Sequence, residues 1–199
     1  MSLLYFYPNR PTLIPPDPNN PLQPKPDYLN SLERSGKYVG EQKWNGDNVQ
    51  IYTDDLSFWN RTGGRLKYKP PATMIEELKA FPKGCILNAE LMHNHTITVK
   101  NLLIVHCLMA HKGKPLLGYT WGQAREILEG WKYGEHVKLS PIWKTGFWDL
   151  FQKADGKIIE GIVLKDPTGL LRFSTTPLPN DGSVSWMLKV RKTSKKYAY

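Results

Sequence analysis

Residues 41–53 read EQKWNGDNVQIYT, and the reading of this stretch decides the fold. Tyr38–Lys43 and Val49–Thr53 alternate as two strands about a turn at Asn45-Gly46-Asp47. A lysine beside a turn is ordinarily a solvated cation, so its meaning depends on what other segments bring to it. Working outward, Leu56–Arg61 reads as a third strand before Gly63-Gly64, and Ala72–Phe81 as a helix with Met74, Ile75 and Leu78 on one face. Cys85–Met92 and Ile97–Leu108 read as strands joined through His93-Asn94-His95. Thr120–Trp131 is a helix with Thr120 as N-cap and Gln123 closing a capping box. Further on come a strand at Val137–Leu139, a helix at Phe147–Ala154, and strands at Ile158–Lys165, Leu170–Ser174 and Ser185–Arg191. Paired strands with interspersed helices predict an α+β fold of mainly antiparallel sheets.

Composition narrows the class. The 199 residues, 40% hydrophobic and 23% charged, are enough for one globular domain with a real core. A net charge of +9 favours polyanionic partners, nucleic acid before an anionic membrane. No apolar run approaches the roughly 18 residues of a membrane span. The start MSLLYFYPNRP lacks a basic n-region and is interrupted by Pro8, so no signal peptide is expected. Cys85 and Cys107 make no disulfide framework, which points to a reducing, cytoplasmic compartment. Eight of the sixteen prolines lie between Pro8 and Pro26, a segment that can be neither helix nor inner strand. Residues 1–36 are therefore expected to form a Pro-rich extended arm, and 37–199 the domain proper.

Four stretches put ionisable groups on strands where a core reading explains them poorly. They are Lys43 itself, Glu90 in ILNAELM (86–92), Glu160 and Lys165 in IIEGIVLKD (158–166), and Lys189 and Arg191 in SWMLKVRK (185–192). On a strand Lys189 and Arg191 share one face while Trp186, Leu188 and Val190 fill the other. Paired cations, two acids and a further lysine suit a phosphoanhydride: cations neutralise phosphate oxygens, and acids hold a ribose hydroxyl or a divalent metal. Each has a bland alternative, namely a solvated lysine, edge-strand charges that discourage aggregation, or the wet face of an amphipathic strand.

Taken together and in order, the stretches resemble the covalent nucleotidyltransferases, that is, ATP-dependent DNA ligases, RNA ligases and mRNA-capping guanylyltransferases. KWNG at 43–46 resembles the family's lysine motif, LNAEL at 87–91 its strand Glu, EGIVLK at 160–165 its Glu-Gly strand, and WMLKVR at 186–191 its lysine-x-lysine strand. NRTGG at 60–64 looks like its arginine motif, and LLIVHCLMAHKGKPL at 102–116 like the strand bearing a purine-stacking residue. The likeness covers about residues 37–191; a lone KxxG is weak, but four motifs in order are not.

The resemblance implies an ATP-grasp-like ligase adenylation domain: two antiparallel sheets, flanking helices and a central nucleotide cleft. It implies ATP as the nucleotide, with Mg²⁺ or Mn²⁺, and Lys43 as the nucleophile that forms a lysyl–AMP. Lysine attacks only as the neutral amine, a form that neighbouring cations favour. Glu41 matches the residue at the adenine edge, Glu90 and Glu160 the acids serving ribose and metal, and Lys189 and Arg191 the phosphate-binding pair. Arg61 matches the arginine of the following motif, Lys165 is a weaker candidate for phosphate, and Val105 and His106 stand at the purine-stacking place, where of the two His106 could stack. The implied partner is nucleic acid with 5′-phosphate and 3′-hydroxyl ends, in a duplex, handled by a monomer.

Departures set the branch. Asn45 stands for the commoner aspartate, and Asn48 stands where DNA ligases and capping enzymes usually carry arginine. KWNGDN matches the KxxGxN of RNA ligases, so RNA or RNA-containing nicks are favoured over DNA. Eight residues follow Arg191, so no C-terminal oligonucleotide-binding domain is expected, and a protein partner could take its place. The basic tail Lys189–Lys196 reads as a plain solvated terminus before a specific reader; a non-specific grip on a phosphate backbone would weaken with salt. The rivals are a DNA ligase, a capping-type guanylyltransferase, and a nucleic-acid-binding module without chemistry. His93-x-His95 has too few ligands for a transition-metal site and suits a hairpin turn.

Overall fold

A computed structural model describes residues 6–20, 23–96, 98–173 and 183–192. The first half runs β1 (Arg10–Leu13), α1 (Pro26–Arg34), β2 (Val39–Trp44), β3 (Asp47–Tyr52), β4 (Ser57–Asn60), α2 (Ala72–Lys79) and β5 (Ile86–Met92). It continues with β6 (Leu102–His111), β7 (Lys114–Pro115), α3 (Trp121–Glu129), β8 (Val137–Leu139), α4 (Phe147–Gln152), β9 (Ile159–Lys165) and β10 (Ser183–Arg191). The chain divides into two compact units, with one boundary at Asn45/Gly46 inside the KWNG turn. One unit is built on Gly46–Ser140, with Phe6 and Leu170; the other on Arg10–Asn45, Pro141–Gly169 and β10.

The first unit is a sheet ordered β4-β3-β5-β6-β7, with β8 parallel to β6. Strand alternation sorts its two faces. Val49, Ala89 and Val105 lie in one cross-strand row and Ile51, Leu87 and Leu108 in another, all fully buried. Helices α2 and α3 add Met74, Leu78, Trp121, Ala124 and Leu128 to the unit's buried residues. The Thr120–Gln123 capping box predicted for α3 is present in both directions. The opposite face carries the rows Asn48–Glu90–Ile104, Gln50–Asn88–Cys107 and Tyr52–Ile86–Ala110. Phe6 packs over the last of these, and its carbonyl accepts from Gln50 Nε2.

Glu77 on α2 ties this unit together. Its carboxylate accepts from the backbone N–H groups of Glu135 (2.9 Å), His136 (3.1 Å) and Val137 (2.7 Å) at the entry to β8. Glu77→Ala leaves those donors unsatisfied, and a loss of about 2 kcal/mol in unfolding stability is expected. Denaturant titration checks it; an unchanged midpoint would show that water replaces the carboxylate at no cost.

The second unit is a sheet ordered β1-β10-β9-β2, antiparallel except for the β1–β10 pair. One face presents Ile162, Leu164 and Val190 to Ile14, Leu29 of α1 and Phe147, Leu150 and Phe151 of α4. Gly40 allows α4 to sit close, since a Cβ there would stand 3.2 Å from the Phe147 ring and require it to shift by a few tenths of an ångström. The other face carries Glu41, Lys43, Lys165, Lys189 and Arg191.

Two expectations need correction. Residues 1–36 are not an extended arm throughout. Pro26 opens helix α1 at its first turn, where its missing N–H costs nothing, and Pro11 lies in the edge strand β1 next to a register shift. Proline density masked an element that tolerates proline at its start. The expected strand at 170–174 is, within the described residues, only a bridge between Leu170 and Thr120; residue 174 lies outside them.

Candidate active site

The central strand β9 organises the residues around Lys43. Gly161 stands directly between Lys43 on β2 and Arg191 on β10, and Val163 between Glu41 and Lys189. Strict alternation would turn Glu160 away from this face. The register breaks, however: Lys43 pairs with Gly161 while Trp44 pairs with Ile159, so Glu160 is the extra residue of a bulge. The bulge re-aims its side chain towards Lys43. Lys43 Nζ donates to Glu160 Oε2, and Arg191 reaches the same oxygen through Nε (3.1 Å) and Nη2 (3.0 Å). The Lys43 and Glu160 side chains are only 16% and 11% exposed. The surroundings are thus less purely cationic than the sequence suggests: a carboxylate is the nearest neighbour of the amine, with the guanidinium behind it.

Two devices hold this geometry. Asn45 caps the start of β9, its backbone N–H reaching Ile158 O (2.9 Å) and its Nδ2 reaching Lys157 O (2.7 Å). Asp155 Oδ1 then accepts from the backbone N–H groups of Lys157, Ile158 and Ile159 (2.8, 2.8 and 2.9 Å). Burial pushes the Asp155 carboxyl up, but the three donors outweigh it and hold it below the ordinary range. A carboxylate with a lowered folded value stabilises above its unfolded value, roughly pH 4, and loses that contribution as pH falls through the folded one. Asp155→Ala is therefore expected to lower Tm at neutral pH, with the gap to the parent closing on acidification. A gap independent of pH would refute the carboxylate's role.

Lys165, expected towards phosphate, lies one row from Glu41 on the same face. Its ammonium is 2.9 Å from Glu41 Oε2, with the side chains 4% and 3% exposed. Lys189 shares the row of Glu41.

The first unit groups three more of the predicted residues. Gly46 N donates to Glu90 Oε1 (3.1 Å), and a Cβ at Gly46 would come within 2.6 Å of Leu91 O, so only glycine fits. Asn48, opposite Glu90, points Nδ2 at His106 Nε2 at 3.5 Å, a long contact. His106 is the extra residue of a second bulge, between the pairs Asn88–Cys107 and Ala89–Val105. Arg61 follows β4 in a turn gathered by Asn60 Oδ1, which accepts from Thr62 N and Gly64 N. Sequence reading passed over Gln50 and Asn88 on this face. Their only signal was a polar side chain at every second position of an apolar strand. With Asn48 they hold buried amide oxygens that have no hydrogen-bond partner among the described residues.

His93-x-His95 gathers no metal set. His95 Nε2 and Asn94 Nδ2 both meet the Asp47 carboxylate at 2.9 Å, and among the described residues no three His, Cys, Asp or Glu side chains could hold an ion. Magnesium asks less of a protein: one or two carboxylates, with phosphate oxygens and water completing the shell. The hard carboxylate oxygens of Glu160 fit that demand. Among the described residues no helix is long and apolar enough to cross a membrane.

A structure from work on Lig E DNA ligases, described as binding DNA with a minimal scaffold, matches with a TM-score of 0.55 at 12% identity, covering 78% of this chain and 62% of that one. The ligase domain of M. tuberculosis LigD matches with a TM-score of 0.55 at 15% identity, covering 76% and 52%. The fold is the ligase nucleotidyltransferase fold. A third ligase, Pmar-Lig, matches with a TM-score of 0.58 at 14% identity, covering 94% of this chain and 46% of that one. The chain thus spans less than two thirds of each of these ligases. By sequence, no family model and no curated protein matches it.

Proposed function

We propose that this chain is an ATP-dependent polynucleotide ligase that works through a lysyl–AMP on Lys43. The observation that carries the reading is the meeting of Lys43, Glu160 and Arg191 on one sheet face, built by three motifs distant in sequence. In the first step Lys43 Nζ, having lost its proton and left Glu160, attacks the α-phosphorus of ATP. An N–P bond forms, the bond to the bridging oxygen breaks, and pyrophosphate leaves. A 5′-phosphate oxygen then attacks the same phosphorus, releasing Lys43 and capping the end with AMP. Finally a 3′-hydroxyl attacks the capped 5′-phosphate, closing the phosphodiester and releasing AMP.

Arg191 and Lys189 neutralise phosphate oxygens as charge builds on them, with Arg61 as a further cation for that anion. Glu41 reads the adenine edge, His106 stacks on the purine, and Glu90 with Asn48 serves the ribose side. Glu160 and Glu90 are the residues that would hold Mg²⁺ or Mn²⁺, which when bound polarises the phosphate oxygens. The buried, unsatisfied amide oxygens beside Glu90 support a ligand on that face.

On substrate, Asn48 in KWNGDN favours RNA or RNA-containing nicks. A second reading, DNA, is suggested by the Lig E structure, which comes from work on DNA ligases and their DNA binding. Labelled ATP with Mg²⁺ or Mn²⁺ should leave label on the protein, lost on chelation and without Lys43. A panel of nicked all-RNA, all-DNA and hybrid duplexes then separates the readings, and preferential sealing of all-DNA nicks would overturn the RNA preference. Label from GTP in place of ATP would point to capping chemistry, and nucleic-acid binding without label to a module lacking the reaction.

A further inference from the structure

We infer that Asp47 is a positioning residue for the lysine that precedes it: the β5–β6 hairpin, through Asn94 and His95, grips its carboxylate and so fixes the turn that carries Lys43. The inference rests on the proposal that Lys43 is the nucleophile. Asp47 breaks the pattern of its strand. It opens the cross-strand row Asp47–Leu91–Leu103, whose two leucines are buried, on the face that Val49 and Ile51 also fill. Asn48 and Glu90 pair on the opposite face, so alternation turns Asp47 away from the residues proposed to meet the nucleotide. An acid in an apolar row calls for partners, and the hairpin brings one to each oxygen. Asn94 Nδ2 donates to Oδ2 at 2.9 Å, and His95 Nε2 stands 2.9 Å from Oδ1.

Place in the chain gives this clamp its consequence. The chain passes from one unit to the other at Asn45/Gly46, so Gly46 and Asp47 are where the first unit takes hold of the KWNG turn. Gly46 is held on one face of the sheet, its N–H donating to Glu90 Oε1 at 3.1 Å. Asp47 is held on the other, and the two grips together set the backbone that leaves the turn. The anchor is itself braced. Lys100 Nζ donates to His93 O, the His93 ring packs edge-on against Tyr68 with centroids 4.9 Å apart, and Tyr68 Oη reaches Asn101 Oδ1 at 3.0 Å. The Asp47 and His95 side chains are 34% and 46% exposed, and contacts so open to water add little to the stability of a fold. Attack geometry is far more sensitive, since a displacement of about 1 Å can cost on the order of 100-fold in rate. The clamp therefore acts on the reaction much more than on the fold.

The test measures two steps separately: formation of the lysyl adduct from ATP, and closure of a nick that already carries AMP, which does not use the lysine. Asp47→Ala is expected to slow adduct formation by roughly 10- to 100-fold while closure stays within about threefold of the parent. Its Tm should move by no more than about 3 °C. Asp47→Asn keeps both contacts without the charge, its amide oxygen accepting from Asn94 and its amide N–H donating to His95, and should restore most of the rate. Taking the clamp from the other side, the double variant Asn94→Ala, His95→Ala should match Asp47→Ala, and combining all the changes should add nothing further. Adduct formation that is unchanged in Asp47→Ala, or slowed no more than closure, overturns the inference. An Asp47→Asn variant as slow as Asp47→Ala overturns it too, because the charge and not the clamp would then be acting. Amide hydrogen exchange at Gly46 is the readout that needs no chemistry, and it should quicken by at least roughly tenfold in Asp47→Ala. If the parent forms no adduct at all, the ligase reading fails, while the exchange rates still decide whether the hairpin holds the turn.

Discussion

Lys43→Ala should form no labelled adduct with ATP, a loss on the order of 10⁶-fold, since removing the nucleophile of a covalent mechanism removes the step itself. The fold is expected to survive. Truncating Lys43 takes one cation from Glu160, but Arg191 remains on the same oxygen at 3.0 Å, so no lone buried charge is created. Tm should therefore shift by only a few degrees. A 5′ end already carrying AMP bypasses the lysine, so the variant should still close such a nick. Adduct on Lys43→Ala would move the nucleophile elsewhere and end the proposal. Loss of adduct together with loss of the folded state would show instead that the ion-pair cluster is structural.

Gly161→Ala carries the second large effect, on stability and activity together. A Cβ there would run into the carbonyl oxygen of Val190, with Val190 C at 2.9 Å and Arg191 Cα at 3.0 Å. The obstacle is backbone, and Gly161 is hemmed in by paired strands on both sides, so no side chain can swing aside. The β9–β10 ladder has to part, at an expected cost of about 2–4 kcal/mol. Lower Tm is one readout. The other is adduct formation, because the bulge that aims Glu160 at Lys43 lies at this residue. Measured well below Tm, where the variant is folded, its adduct rate should still fall by at least roughly tenfold. A variant with the parent's Tm and rate would mean that the bulge does not set the site.

Much of this was legible in the chain, for reasons that can be named. Alternation in VQIY, ILNAELM and SWMLKVR marks strands, and the Thr120–Gln123 pair announces its own helix start, because both signals are local. The order of KWNG, LNAEL, EGIVLK and WMLKVR carried the family likeness. Helix α1 was hidden because proline at a helix start looks, from sequence, like proline in an arm. The strand expected after Leu170 shortens, among the described residues, to a bridge with Thr120 and the hydrogen bonds that Leu171 makes with Gly118 and Tyr119.

What the amino-acid order determined by itself was which residue types lie on which strands and how they alternate. Register is another matter, since it is settled between segments more than a hundred residues apart. A one-residue bulge turned Glu160 to the face of Lys43 and Arg191, and diagonal placement set Lys165 on Glu41 rather than in open solution. Neither follows from local pattern, because a side chain's neighbours across a sheet depend on pairing that only the packed core selects.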